Sequence, residues 1–88
     1  MIRRHITFTG YVQGVGFRYR ARHAASLYGC TGWVRNEWDG SVTMELQGEP
    51  EHIELVIKYI EAGRYVEIKT MKSREVPLKD ERSFQTVY

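Results

Sequence analysis

The stretch Gly10-Tyr11-Val12-Gln13-Gly14-Val15-Gly16-Phe17-Arg18 places three glycines in seven positions, between a strand-like alternation and a helix-like spacing. Upstream, Ile6 and Phe8 are apolar while Thr7 and Thr9 are polar, the period of a half-buried strand. Downstream, Phe17, Ala21, Ala24 and Tyr28 recur at i, i+4, i+7 and i+11, one apolar stripe of a helix. A glycine-rich bend that opens a helix leaves backbone N–H groups pointing one way, a cradle for an anion.

The charge pattern of that helix is unusual. Its first turns carry Arg18, Arg20 and Arg22 and no carboxylate. A helix N-terminus is already partly positive and ordinarily favours acidic residues by ~0.3–1 kcal/mol each. The second helical segment shows that ordinary arrangement, beginning Glu49-Pro50-Glu51 and carrying Glu54 soon after. An anion bound at the first helix start would relieve the misplaced charge. Arg18 directly follows the bend, so its planar guanidinium is the one placed to grip that anion in a bidentate way. Arg20 and Arg22 read as a solvated basic face.

The rest of the chain supplies a familiar set of elements. Residues 3–9 form the first expected strand, and Gly29 stands where a glycine usually ends a helix. Thr31 to Asn36 reads as a second strand, with Trp33 and Val34 on opposite faces. Asp39-Gly40 marks a tight turn, after which Ser41 to Gln47 alternates with Val42, Met44 and Leu46 on one face. Pro50 opens a second helix with the stripe Ile53, Val56, Ile57 and Ile60, closed by Gly63. Tyr65 to Ser73 is a fourth strand with Val66 and Ile68 inward, residues 76–82 a polar loop, and Ser83 to Tyr88 a short last strand anchored by Phe84. The order βαββαβ plus a terminal strand predicts an α+β, ferredoxin-like sandwich: one antiparallel sheet with both helices on one face, a single domain over residues 1–88. Strands one and two then run in the same direction, so Asn36, at the end of strand two, comes to the same edge as the glycine bend.

Composition bounds the remaining classes. Hydrophobic residues make up 42% and charged ones 27%, which argues against disorder. A net charge of +2 is too small to argue for nucleic acid and suits a small anionic ligand. The lone Cys30 forms no internal disulfide and fits a reducing, cytoplasmic setting. No apolar run follows Arg3-Arg4-His5 and none reaches membrane-spanning length, so neither a signal peptide nor a membrane partner is expected.

Standard catalytic signatures are missing. The bend lacks the Gly-Lys-Ser/Thr ending of a nucleotide loop and the third glycine of a dinucleotide fingerprint. His5, His23 and His52 have no ligand spacing, so no metal site is expected. Cys30 reads as a small spacer, and Asp39 as a turn residue. Asn36 is a side-chain amide that donates and accepts, suited to holding a water beside an anion, and it also suits a plain turn.

Together, Gly10-x-Val12-Gln13-Gly14-Val15-Gly16-Phe17-Arg18 and Gly32-x-Val34-x-Asn36-x-x-Asp39-Gly40-x-Val42 resemble the acylphosphatase family in order and separation. The resemblance implies a ferredoxin-like α/β sandwich that cleaves the carboxyl–phosphate bond of small acyl phosphates by water attack, without metal, cofactor or covalent intermediate. It implies that Arg18 binds phosphate with the loop amides of Gln13, Gly14, Val15, Gly16 and Phe17, and that Asn36 positions the attacking water. Phosphate is then product or inhibitor, and a monomer is expected. The segment Arg64 to Arg82 matches no motif.

The rival class is a non-catalytic binding module, either for phosphate or acyl phosphate or for RNA. An RNA-binding domain shares the element order but needs aromatic platforms on its central strands, and Ser41 to Leu46 has none.

Overall fold

Alternation and helical spacing translate directly into elements in the computed structural model, which describes residues 1–88. The chain order is β1 (Ile2–Tyr11), α1 (Phe17–Leu27), β2 (Thr31–Asn36), β3 (Val42–Gly48), α2 (Pro50–Glu61), β4 (Glu67–Val76) and β5 (Phe84–Val87). The expected helix stripes point inward. Phe17, Ala21 and Ala24 of α1 and Ile53, Val56 and Ile60 of α2 are buried against Ile6, Phe8, Val34, Val42, Met44 and Leu46 of the sheet. Ala25 joins them, while Tyr28 and Ile57 lie at the rim. Each fully buried large side chain contributes about 1.5–3 kcal/mol, so this layer is the main source of stability.

The sheet order is β4-β1-β3-β2-β5. β1 pairs antiparallel with β3 and β4, and β3 pairs antiparallel with β2. β1 and β2 therefore share a direction, and the bend after β1 lies at the same end of the sheet as Asn36. One expectation needs correcting: the sheet is mixed, because β5 pairs parallel with β2. After β4, on one edge, residues 77–83 carry the chain to the other edge and reverse it, so β5 enters along β2. β4 also starts two residues later and runs three longer than its alternation suggests. Val66 and Ile68 still pack on the core, half-buried.

The sheet face away from the helices is polar but not open. Arg3 is fully buried there. Its Nε donates to Glu45 Oε1 at 2.7 Å, Nη1 to Gln47 Oε1 at 3.2 Å and Nη2 to Glu81 Oε2 at 3.1 Å. The Gln47 side chain bonds both the N–H and the carbonyl of Lys79. Residues 77–83 thus form a strap fastened by a buried charge, which is the structural role of part of the unmatched segment Arg64 to Arg82.

A second unforeseen tie joins the helices. Arg20, expected to be solvated, donates from Nε and Nη2 to the carbonyl of Tyr59 at 3.0 and 2.7 Å and stacks over the Tyr59 ring. That carbonyl is among the last four of α2, which lack intrahelical partners and favour a cation. Gly63 leaves the space, since a Cβ there would fall 2.7 Å from Arg20 Cδ.

Candidate functional site

The bend takes its shape from two glycines. Gly14 and Gly16 have φ of +70° and +85°, which an L side chain tolerates poorly, although a Cβ at either would touch nothing. Gly16 is also the N-cap of α1, so no side chain caps that helix, and its first turn holds no acid. The backbone N–H groups from Gln13 through Tyr19 consequently find no acceptor within the protein; the first to do so is Arg20, bonded to the Gly16 carbonyl at 2.9 Å. Seven consecutive donors are left to solvent or to a ligand.

These donors border a cleft of about 320 Å³. Gly14, Gly16, Phe17 and Arg18 line it from the bend and α1, Asn36 from the end of β2, and Thr86 and Tyr88 from the last strand and the residue after it. The two residues singled out from sequence, Arg18 and Asn36, therefore meet in one cavity although they come from different elements. Gln13 and Val15 are not among its lining residues. Val15 turns its side chain onto the core. Gln13 spends its side chain on the β2–β3 turn, donating from Nε2 to the carbonyls of Glu37 at 2.6 Å and Ser41 at 2.9 Å. Only the main-chain N–H of each remains available.

Charge in the cleft is one-sided. Every ion pair in the molecule involves Arg3, His5, Arg35, Lys79 or the chain's amino group. Arg18 has none; its guanidinium carbon sits 5.4 Å from the centre of the Tyr88 ring, a cation–π contact that leaves the fork's N–H groups free. No Asp or Glu side chain lines the cavity. Asn36 Oδ1 is buried yet has no hydrogen-bond partner in the protein, the one side-chain atom of that kind. Such an atom costs about 1–3 kcal/mol, so its persistence asks for a reason beyond packing.

The acids nearby are occupied elsewhere. Glu37 is held by the Arg35 guanidinium and the Thr43 hydroxyl, which lower its pKa. Asp39 accepts from the Ser41 hydroxyl and N–H, which lowers its pKa as well. Burial pushes the Cys30 thiol up to about 11, so it is not a thiolate nucleophile at neutral pH. The histidines scatter: His5 bonds Glu45, His23 lies between the Tyr19 and Tyr59 rings, and His52 is exposed on α2.

Sequence reasoning missed the Gln13 side chain, Thr86 and Tyr88. The parallel return of β5 delivers the last two, and nothing local to residues 83–88 encodes which edge they join.

Fold and cleft define a class, a ferredoxin-like sandwich with a cationic cavity, lined by no Asp or Glu, at the mouth of its first helix. The acylphosphatase family model matches residues 4–86. An acylphosphatase of Geobacillus kaustophilus is 42% identical over 91 residues, covering 100% of this chain and 96% of that protein. The crystal structure of the Bacillus subtilis acylphosphatase superposes with a TM-score of 0.92 at 29% identity, covering all of both chains. Full-length HypF, solved in a phosphate- and nucleotide-bound form, contains a similar unit: TM-score 0.89 and 34% identity over 99% of this chain, but 12% of that one. The chain belongs to the acylphosphatase family, enzymes that hydrolyse acyl phosphates.

Proposed function

We propose that residues 1–88 act as one cytoplasmic, monomeric catalytic domain that hydrolyses small acyl phosphates at this cleft, with Arg18 and Asn36 as its catalytic residues. The observation that carries the reading is the convergence, in one cavity, of an unpaired guanidinium, a run of unpaired backbone donors and the side-chain amide of Asn36. Arg18 and the N–H groups of Gln13, Gly14, Val15, Gly16 and Phe17 bind the phosphoryl oxygens. The side-chain amide of Asn36 holds a water and aims it at phosphorus.

The chemistry needs little more. The water oxygen bonds to phosphorus as the bond from phosphorus to the acyl oxygen breaks, and the pair of electrons leaves with the carboxylate. Its conjugate acid has a pKa of about 4, so it departs without a general acid. The water's proton passes to a phosphoryl oxygen of the substrate, giving inorganic phosphate. Phosphoryl transfer rests mainly on positioning and charge stabilisation, which this donor set supplies without a metal. Phosphate, as product, competes for the same donors.

The binding-module alternative gains no support from the sheet. β3 is buried along its length and carries no aromatic, and the strap of residues 77–83 crosses the polar face.

The test is hydrolysis of benzoyl phosphate with and without a chelator, in the wild type and in Arg18→Ala and Arg18→Lys. The expected result is chelator-resistant turnover that Arg18→Ala nearly abolishes and Arg18→Lys restores poorly, because the planar fork is lost. A wild-type rate in Arg18→Ala overturns the reading.

A further inference from the structure

One charged cleft residue, Arg22, takes no part in that mechanism. Arg22 lies one turn beyond Arg18 on α1, lines the catalytic cavity, and also lines a second groove that continues from it along α1 toward β5. Tyr19 is likewise shared between the two, so the cavity and groove are contiguous. Further along, the groove is bordered by His23, Ser83 and Arg82. Neither cavity nor groove has an Asp or Glu in its lining. Arg22 and Arg82 form no ion pair, whereas Arg20, on the same helix, is tied to the Tyr59 carbonyl. Past the phosphate site, then, the path open to the rest of a substrate carries Arg22 and Arg82, with no acidic side chain paired to either.

We propose that Arg22 is a specificity residue that selects acyl phosphates whose acyl chain bears a second anionic group. Residues four apart on a helix are separated by about 6 Å along its axis. That is about the span from the phosphorus to a carboxylate at the far end of a four-carbon diacid monophosphate. With the phosphate on Arg18 and the bend, such a carboxylate reaches the Arg22 guanidinium, with Arg82 adding to the field beyond it. A neutral chain of the same length occupies the same path and gains nothing from either charge. A phosphate in place of the carboxylate meets the same chemistry. The inference rests on the catalytic reading given above.

The experiment compares kcat/KM for succinyl phosphate and butyryl phosphate, which match in length and differ in the terminal charge. In the wild type succinyl phosphate is favoured about fivefold to tenfold, the size expected of a partly exposed charge-assisted contact. In Arg22→Gln the preference falls to within twofold of unity, chiefly through KM for succinyl phosphate, and Arg22→Lys keeps most of it. Raising salt erodes the preference in the wild type and leaves the glutamine variant flat. Both substrates are measured on the same protein, so any loss of folded enzyme cancels from the ratio. A wild-type ratio near one, or an unchanged ratio in Arg22→Gln, overturns the proposal while butyryl phosphate turnover leaves the catalytic reading standing. Failure to hydrolyse either substrate, or benzoyl phosphate, overturns the catalytic reading itself and this proposal with it. An arm with an acyl phosphate bearing a terminal phosphate separates the two anion types: a larger Arg22-dependent preference there assigns the groove to phosphate, a smaller one to carboxylate.

Discussion

The side-chain amide of Gln13 donates to the main-chain oxygen of Glu37 at 2.6 Å, joining the glycine bend to the turn that follows Asn36. A second bond from the same nitrogen reaches the Ser41 carbonyl at 2.9 Å. The two halves of the cleft are therefore registered by one amide. Replacing it separates placement of the site from its charge.

Gln13→Ala should leave two carbonyls without this donor and cost about 1–2 kcal/mol of stability. Its larger effect should fall on kcat, down about tenfold, because the bend and Asn36 lose their common reference. Steady-state kinetics and urea unfolding of the same variant check this. Unchanged kcat beside the stability loss would reduce Gln13 to a structural tie.

Asn36→Ala should lower kcat by ~10²–10³-fold, the loss of one positioned transition-state group. Inhibition by inorganic phosphate should stay within a fewfold of wild type. Stability should hold or rise slightly, since the variant removes a buried oxygen that has no partner. Thermal unfolding and phosphate inhibition read these out, and a collapse of phosphate affinity would recast Asn36 as a binding residue.

Inorganic phosphate should raise the melting temperature by mass action, stabilising the wild type by about 2.7 kcal/mol at a hundred times its Kd. In Arg18→Ala the shift at the same phosphate concentration should vanish. Chloride at matched ionic strength is the control, and an equal shift with chloride would count against the cradle.

Acid should weaken the strap. Burial opposes ionisation of Glu45, but hydrogen bonds from His5 and Arg3 outweigh it and hold its pKa at about 2, against 4.5 for the free group. The folded value is the lower one, so this stabilisation is complete above about pH 5 and is lost as the pH falls toward 2. The amount is roughly 3 kcal/mol over that window. Unfolding free energies of wild type and Glu45→Gln should converge as pH drops through it; parallel curves would refute the assignment.

Much of this architecture is legible in short-range pattern. The spacing of Phe17, Ala21 and Ala24 and the alternation of Val42, Met44 and Leu46 record a helix face and a strand face, and both are buried as written. Gly14, Gly16 and Arg18 are legible for the same reason, because backbone shape and charge act within one turn. Arg3 is not. Its burial depends on Glu45 and Glu81, 42 and 78 positions away, and an arginine in an alternating strand looks solvated until those partners arrive. In hindsight Arg3-x-His5 facing Glu45-x-Gln47 across β1 and β3 was the available clue. Arg20 misled for a similar reason, since its acceptor is a carbonyl on another helix.

The parallel seam between β2 and β5 makes the last residues an indexing device. Phe84 lies opposite Gly32 and Thr86 opposite Val34, so alternate side chains of β5 face the helices. A slide of one position would turn Gln85 and Val87 inward and swing Thr86 away from the wall of the cleft. Phe84, wedged against the core, is what denies the strand that freedom. Trimming its ring to a methyl should therefore blur the geometry of a reaction in which it takes no part.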